Sequence, residues 1–334
     1  MSVQINIENQ TSPVADDVSA LIAIVCSILR GILFSLKQSV VEEAGGIEKL
    51  KLFMLSRIYK HGDGDCGICF EYAIHDAILR QEPSVIERVY DSLVKCGVPG
   101  RQTASILFGA EKSKALQIVG NMNNLLTDES RLLTGTQSQP PKLKKHIVDI
   151  TKAFYLARYR EQLPSSISGL WKADLFIGNT DSDRWVGTTV KINRQQLEGA
   201  SGLRIGIVPS QYGKGDSIIF DSSKNLVICP IPYDQAFMEK FYSAWFIVTA
   251  FIKSDANMPK PELLPLGAHR IVARELENRK NLSVLELIES LLYFAQPGLL
   301  YQEIINLNTE SITPSASSDL APNIIAPKAA LYRI

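Results

Sequence analysis

The sequence has no excess of charge of either sign. Its 35 lysines and arginines balance 35 aspartates and glutamates, for a formal net charge of +0. A chain without a global basic bias does not attract polyanions through its net field, so any contact with nucleic acid must rest on a local basic surface. Cysteine is sparse: Cys26, Cys66, Cys69, Cys96 and Cys229. An odd number spread over 334 residues points to a reducing cytoplasm rather than a disulfide scaffold. A single C-x-x-C occurs, at Cys66–Cys69, and no second pair follows at zinc spacing, which argues against a zinc site. No strand of thioredoxin type leads into it, which argues against a redox pair. The sequence also lacks a long internal repeat.

What is present suffices for a sizeable core. Apolar residues make up 46% of the chain, and the length suggests two domains, or one with large insertions. The segment from Val18 to Leu36 is strongly apolar and near the length of a membrane span. Arg30 interrupts it, and Asp16–Asp17 precede it where a secretory signal needs positive charge. It reads as a buried helix in an N-terminal helical cap over residues 1–60, with no membrane partner; a membrane anchor is the alternative.

A second helix is expected from about Gly46 to Lys60. The glycine-rich loop His61–Gly67 then leads into a helix carrying Phe70, Glu71, Ile74, Ala77 and Ile78, with Asp63 or Asp65 to cap it. The loop either receives an anion on free backbone N–H groups or merely aims Glu71. His61 is a possible acid, base or ligand, whereas mid-helix His75 reads as structural. Residues 83–135 read as helices, including R-Q-T-A-S-I-L-F-G and A-L-Q-I-V-G, and Thr134–Pro141 as a linker. Lysines 142, 144 and 145 open a further helix in which Arg158 and Arg160 interleave with Tyr155 and Tyr159. This is the best local basic patch, either phosphate-binding or an ordinary solvated face.

The centre of the chain is Trp171–Asn193, where two apolar runs flank T-D-S-D and predict a β-hairpin. Residues two apart share a face of a strand, so Thr189 and Lys191 point the same way, and cross-strand pairing brings Asp174 to their edge. A carboxylate and an ammonium in one cleft suit metal-assisted phosphodiester cleavage. After the hairpin come a short helix at Arg194–Gly199, strands at L-R-I-G-I-V-P-S, S-I-I-F-D and N-L-V-I-C-P-I-P, and an aromatic-rich helix over Asp234–Ile252. Three prolines mark a connector over 253–266. A capping box, Ser283 to Glu286, opens a helix to about Ala295, and residues 309–327 read as flexible.

The run K-A-D-L-F-I…W-V-G-T-T-V-K-I-N resembles the PD-(D/E)xK nuclease superfamily, with Asp174 matching its first acid and Lys191 its lysine. Thr189 stands where the second acid belongs, and Ala173 where proline is frequent. Gly67-Ile-Cys-Phe-Glu71 resembles the G-x-x-F-E pattern on the helix before the hairpin, so Glu71 could supply the missing carboxylate; Glu198 is another candidate. The resemblance covers residues 61–80 and 165–250. It implies a mixed β-sheet flanked by helices, with a restriction-endonuclease-like core over 61–255, a helical insertion at about 83–150, and a C-terminal helical segment and tail over 256–334. It further implies Mg²⁺ (or Mn²⁺) held by Glu71, Asp174 and the Val190 carbonyl, with Lys191 positioning the attacking water. DNA is the implied partner, through Lys144, Lys145, Arg158 and Arg194. By analogy of fold type, a restriction or phage-defence role follows, with a partner protein or a homo-oligomer as further possibilities.

Two other functions compete. Gly62-Asp-Gly-Asp-Cys66 resembles the nucleophile loop of OTU-type cysteine proteases, with His146 or His269 as the base. Alternatively, the missing acid at Thr189 leaves a nuclease-like module that binds without cutting.

Overall fold

The computed structural model describes residues 16–59, 65–108, 125–135, 139–199, 202–211, 216–233 and 237–295. Its helices are α1 (Asp16–Ser35), α2 (Gln38–Glu43), α3 (Leu52–Ile58), α4 (Asp65–Leu79), α5 (Pro83–Lys95), α6 (Leu143–Tyr155), α7 (Phe237–Lys253), α8 (Gly267–Asn278) and α9 (Val284–Leu292). Its strands are β1 (Thr103–Leu107), β2 (Arg131–Leu132), β3 (Leu175–Asn179), β4 (Arg184–Val190), β5 (Arg204–Pro209), β6 (Ile219–Asp221) and β7 (Leu226–Ile231). They form a seven-stranded mixed sheet in the order β1-β3-β4-β5-β7-β6, with β2 attached to β4. The β1–β3–β4 part is an antiparallel meander, whereas β4, β5 and β7 run parallel.

Helices cover both faces, so the central strands are buried throughout. Alternate residues serve different cores: Leu175 and Ile177 of β3 face the larger one, with α1, α4, α7, α8 and α9. Phe176 of β3 and Trp185 of β4 face the smaller one, with Leu143, Ile147 and Ile150 of α6.

The hairpin is as the sequence predicts, with Leu175 opposite Thr188 and Asn179 opposite Arg184. Asp183 adopts a left-handed φ of 52° in the turn, a conformation aspartate tolerates better than most residues. The apolar run near the N-terminus is the buried helix α1. It is long and apolar enough to cross a membrane, yet 78% of its most apolar window is buried within the fold. A helix apolar on every side needs cover on every side, and α4, α7, α8 and α9 supply it. Arg30, the one charge inside the run, reaches Asp76 of α4 at 3.2 Å, and Ser27 donates to the same carboxylate at 2.6 Å. Next to Arg30, Gly31 lets the backbones of α1 and α4 close up: a Cβ there would lie 2.7 Å from the Cα of Cys69.

Four sequence expectations are corrected. Within the expected helices of 83–135, Arg131–Leu132 is strand β2. The expected helix carrying Arg158 and Arg160 ends at Tyr155, before both arginines. The run R-Q-T-A-S-I-L is not helical; Thr103–Leu107 is strand β1, paired along its length with β3. Five residues are too few for a helical stripe to be told from a strand, and Gly97 and Gly100, both at positive φ, set the chain up for an extended exit. The helix expected over Gly46–Lys60 splits into a 3₁₀ turn at Ile47–Lys49 and α3. The break arises because Leu50 and Leu52 spend their backbone groups on Val284 and Leu282 at the start of α9. The expected segments A-L-Q-I-V-G and 309–327 lie outside the described residues. The capping box at Ser283 and Glu286 is present.

His75 of α4 meets Ser105 of β1 at 3.0 Å, which ties the helix to the edge of the sheet. Burial holds its imidazole below the ordinary histidine value, against the pull of neighbouring Asp76.

Two outcomes follow from this packing. Gly31→Ala should cost about 1–3 kcal/mol by overpacking, whereas Gly67→Ala in α4, where nothing lies within 4 Å, should be neutral or stabilising by up to about 1 kcal/mol; urea denaturation of both variants checks the contrast. The neutral His75 contributes stability above the unfolded-state value near 6.5 that is lost as pH falls through the lower folded-state value. The urea midpoint should therefore decline from pH 6.5 to 5 more steeply in the wild type than in His75→Gln.

Candidate functional site

The site forms where the antiparallel meander meets the parallel strands. Asp174 immediately precedes β3. Its N–H donates to the Thr188 carbonyl and its own carbonyl accepts from Phe108, both at 2.8 Å, so its backbone is held from both neighbouring strands. Lys191 immediately follows β4, and its N–H donates to the Ile207 carbonyl of β5 at 3.0 Å. Because β3 and β4 are antiparallel, the start of one lies beside the end of the other. Glu71 arrives on α4, which packs against β1 and β4.

These three side chains converge. Lys191 Nζ lies 2.8 Å from Asp174 Oδ2 and 3.4 Å from Glu71 Oε1. Asp174 Oδ2 also accepts from Thr189 Oγ1 at 3.0 Å and from the Val190 N–H at 2.8 Å. Thr189 thus orients the Asp174 carboxylate. Three donors on one oxygen fix the carboxylate rotamer and leave Oδ1 without a hydrogen bond among the described residues. Burial alone would lower the Lys191 ammonium's pKa, but the Asp174 and Glu71 carboxylates outweigh it, and the net shift is upward. The lysine is therefore a cation at neutral pH, suited to donate hydrogen bonds and steady negative charge, not to abstract a proton.

Among the described residues, no group of three or more His, Cys, Asp or Glu side chains gathers to hold a metal ion. Two carboxylates are nevertheless the donor set Mg²⁺ uses beside phosphate, since it takes one or two carboxylates and fills its remaining positions with water and substrate oxygens. Glu71 and Asp174 fit that habit. Glu198 does not join them: it is exposed and paired with Lys172.

The residues expected to contact phosphate separate. Lys144 is paired with Asp128 at 3.0 Å, Lys145 is exposed on α6, and the Arg158 guanidinium sits 5.1 Å from the Tyr159 ring centroid. Lys142 and Lys152 also have acidic partners, so α6 reads as a locally neutralised face over the smaller core. Arg194, three residues beyond Lys191, lies instead at the end of the sheet that carries the triad.

The cysteine site fares differently. Burial pushes the Cys66 thiol up to about 11, the opposite of what a nucleophile needs. Among the described residues no histidine hydrogen-bonds to Cys66; His61 and Asp63 lie outside them, and Asp65 is the first residue of α4.

Sequence reasoning missed Arg204, which opens β5, is only 1% exposed, and donates through Nη2 to the Glu198 carbonyl at 2.7 Å. Burial lowers its pKa, against the pull of Glu198 and Asp174, so this buried cation adds to the positive field felt by Asp174. A lone arginine in an otherwise apolar strand was the signal available.

If Lys191 neutralises two carboxylates, Lys191→Met should cost about 1–3 kcal/mol by removing the ammonium they share. Mg²⁺ should then raise the thermal midpoint of Lys191→Met more than that of the wild type, since a dication replaces the missing ammonium. Equal shifts in both proteins, read by differential scanning fluorimetry, would contradict this account.

Comparison with known proteins assigns no family to this arrangement: no family model, no curated protein and no solved structure matches the chain.

Proposed function

We propose that the chain is a divalent-metal-dependent DNA endonuclease whose working groups are Glu71, Asp174 and Lys191. One observation carries the reading: a single ammonium lies within 3.4 Å of two carboxylates contributed by a helix and by a separate strand edge. The arrangement of a helix, an antiparallel three-strand meander and a parallel fourth strand supports a restriction-endonuclease-like core.

Asp174 and Glu71 would hold Mg²⁺ or Mn²⁺, with the Val190 carbonyl as a further oxygen. The bound ion would neutralise phosphate charge and acidify a coordinated water. Thr189 and the Val190 N–H keep Asp174 in place, so no reorganisation is needed when substrate arrives. Lys191 would hold the attacking water or the phosphate oxygen on which charge develops; being protonated, it leaves the role of base to another group. A restriction or phage-defence setting rests on analogy of fold type alone. Absence of an acid at position 189 favours a second reading, a nuclease-like module that binds DNA without cutting it.

Plasmid DNA incubated with the full chain and Mg²⁺ or Mn²⁺ decides between them. Nicking should occur, cease with EDTA, and fall on the order of 100-fold or more in Lys191→Ala and Asp174→Ala, but not in Cys66→Ala. Cleavage indifferent to Lys191 and Asp174 would sink the proposal. Binding without cleavage in the wild type would favour the inactive module, and cleavage lost only with Cys66 would point to a cysteine hydrolase.

A further inference from the structure

Beyond Lys191, the carboxyl ends of β4, β5 and β7 open onto a cleft of about 390 Å³, within the roughly 300–1,000 Å³ range of small-ligand sites. Its polar and aromatic lining comes from four separate segments: Asn193 and Arg194 after β4, Ser210 and Gln211 after β5, Tyr233 after β7, and Tyr242 on α7. In open α/β sheets, this end of the parallel strands is where ligands bind.

Along the chain the cleft begins directly after the triad's lysine, with Ile192 in its lining. Asn193 is two residues beyond Lys191, and its side chain accepts from the Gln195 N–H at 2.9 Å, which fixes the turn that carries Arg194. Among the described residues Arg194 has no ion-pair partner, unlike Lys142, Lys144, Lys152 and Lys172. Tyr233 is 56% exposed. Its backbone N–H is pinned to Ser210 Oγ at 2.8 Å, and its ring centroid lies 5.8 Å from that of Tyr242. Burial pushes the Tyr242 phenol up to about 12, so it stays a neutral hydrogen-bonding group. An accessible aromatic ring, a guanidinium with no ion-pair partner among the described residues, and amide and hydroxyl groups stand together in a cleft of nucleotide size.

We propose that this cleft receives one unstacked nucleotide of a single-stranded polynucleotide, its base against Tyr233 and its phosphate at Arg194, next to the bond held at Lys191. The substrate class follows from geometry. In a duplex both faces of each base are covered by neighbours, so a tyrosine reaches one only after unstacking that costs a few kcal/mol. A single strand offers its base faces freely, and stacking on aromatic rings tolerates any base. The inference rests on the nuclease reading for its substrate, but its readout is binding.

Fluorescence anisotropy of the full chain in EDTA, with a labelled twelve-residue oligothymidylate and a blunt duplex of the same length, tests it. The single strand should bind about 10-fold or more tighter than the duplex, and Tyr233→Ala should weaken that binding by about 10- to 100-fold. Arg194→Ala should flatten its salt dependence by about one counterion. Thymidine monophosphate should fail to displace the strand at equal nucleotide concentration. Duplex preference, an indifferent Tyr233→Ala of native circular dichroism, or displacement by the free mononucleotide would each overturn the subsite. Tyr233-dependent strand binding in a protein that cuts no DNA would sink the nuclease reading and leave the subsite standing. Lys191-dependent cleavage with binding indifferent to Tyr233 would do the reverse.

Discussion

The close approach of α1 to α4 is the contact on which the rest of the structure depends. Gly31 removes the side chain that would keep the two backbones apart, and Arg30 and Ser27 turn towards Asp76 on the facing helix. Removing either half would leave a charge in a largely apolar interface, where an unpaired charge is far more costly than a paired one. Helix α4 is thereby held from one side by α1 and from another by the His75–Ser105 link to β1. Glu71 lies between these anchors in sequence and on the sheet side of the same helix. Its reach to Lys191 is therefore set by packing far from the carboxylate itself.

The second constraint is electrostatic. Two carboxylates on different elements meet one ammonium, and Arg204 lies buried nearby. Thr189 and the backbone of Val190 take up hydrogen-bonding capacity on Asp174 that would otherwise go to water. A preset arrangement of this kind favours ligands that bring compensating charge: a dication for the carboxylates, an anionic oxygen for the lysine. The same logic explains why the basic face of α6 is a poor candidate for phosphate. Lys142, Lys144 and Lys152 there have local acidic partners, whereas Arg194, at the open end of the parallel strands, has none among the described residues.

Legibility in the sequence followed length and periodicity. The hairpin could be read because two apolar runs flank a four-residue polar turn, and the period of two in a strand put Thr189 and Lys191 on one face. The burial of α1 was readable from a run apolar on every side. Strand β1 was not, because five residues of mixed polarity carry no decisive period, and its partner β3 lies some 70 residues away along the chain. The cleft beside the triad was invisible for a related reason: its lining comes from four segments, none with a pattern of its own.

The sequence by itself determined the local elements: the hairpin, the apolar helix, the capped start of α9, and the presence of an acid and a lysine at the two ends of paired strands. These depend on neighbours a few residues apart, which the chain encodes directly in alternation, turn residues and caps. Only the tertiary structure decided that Glu71 meets Lys191 120 residues away, that Thr189 serves Asp174 instead of replacing an acid, and that the Cys66 thiol is held protonated by burial. Distances between remote side chains and the solvent around a thiol arise from how elements pack, and packing is a property of the whole core.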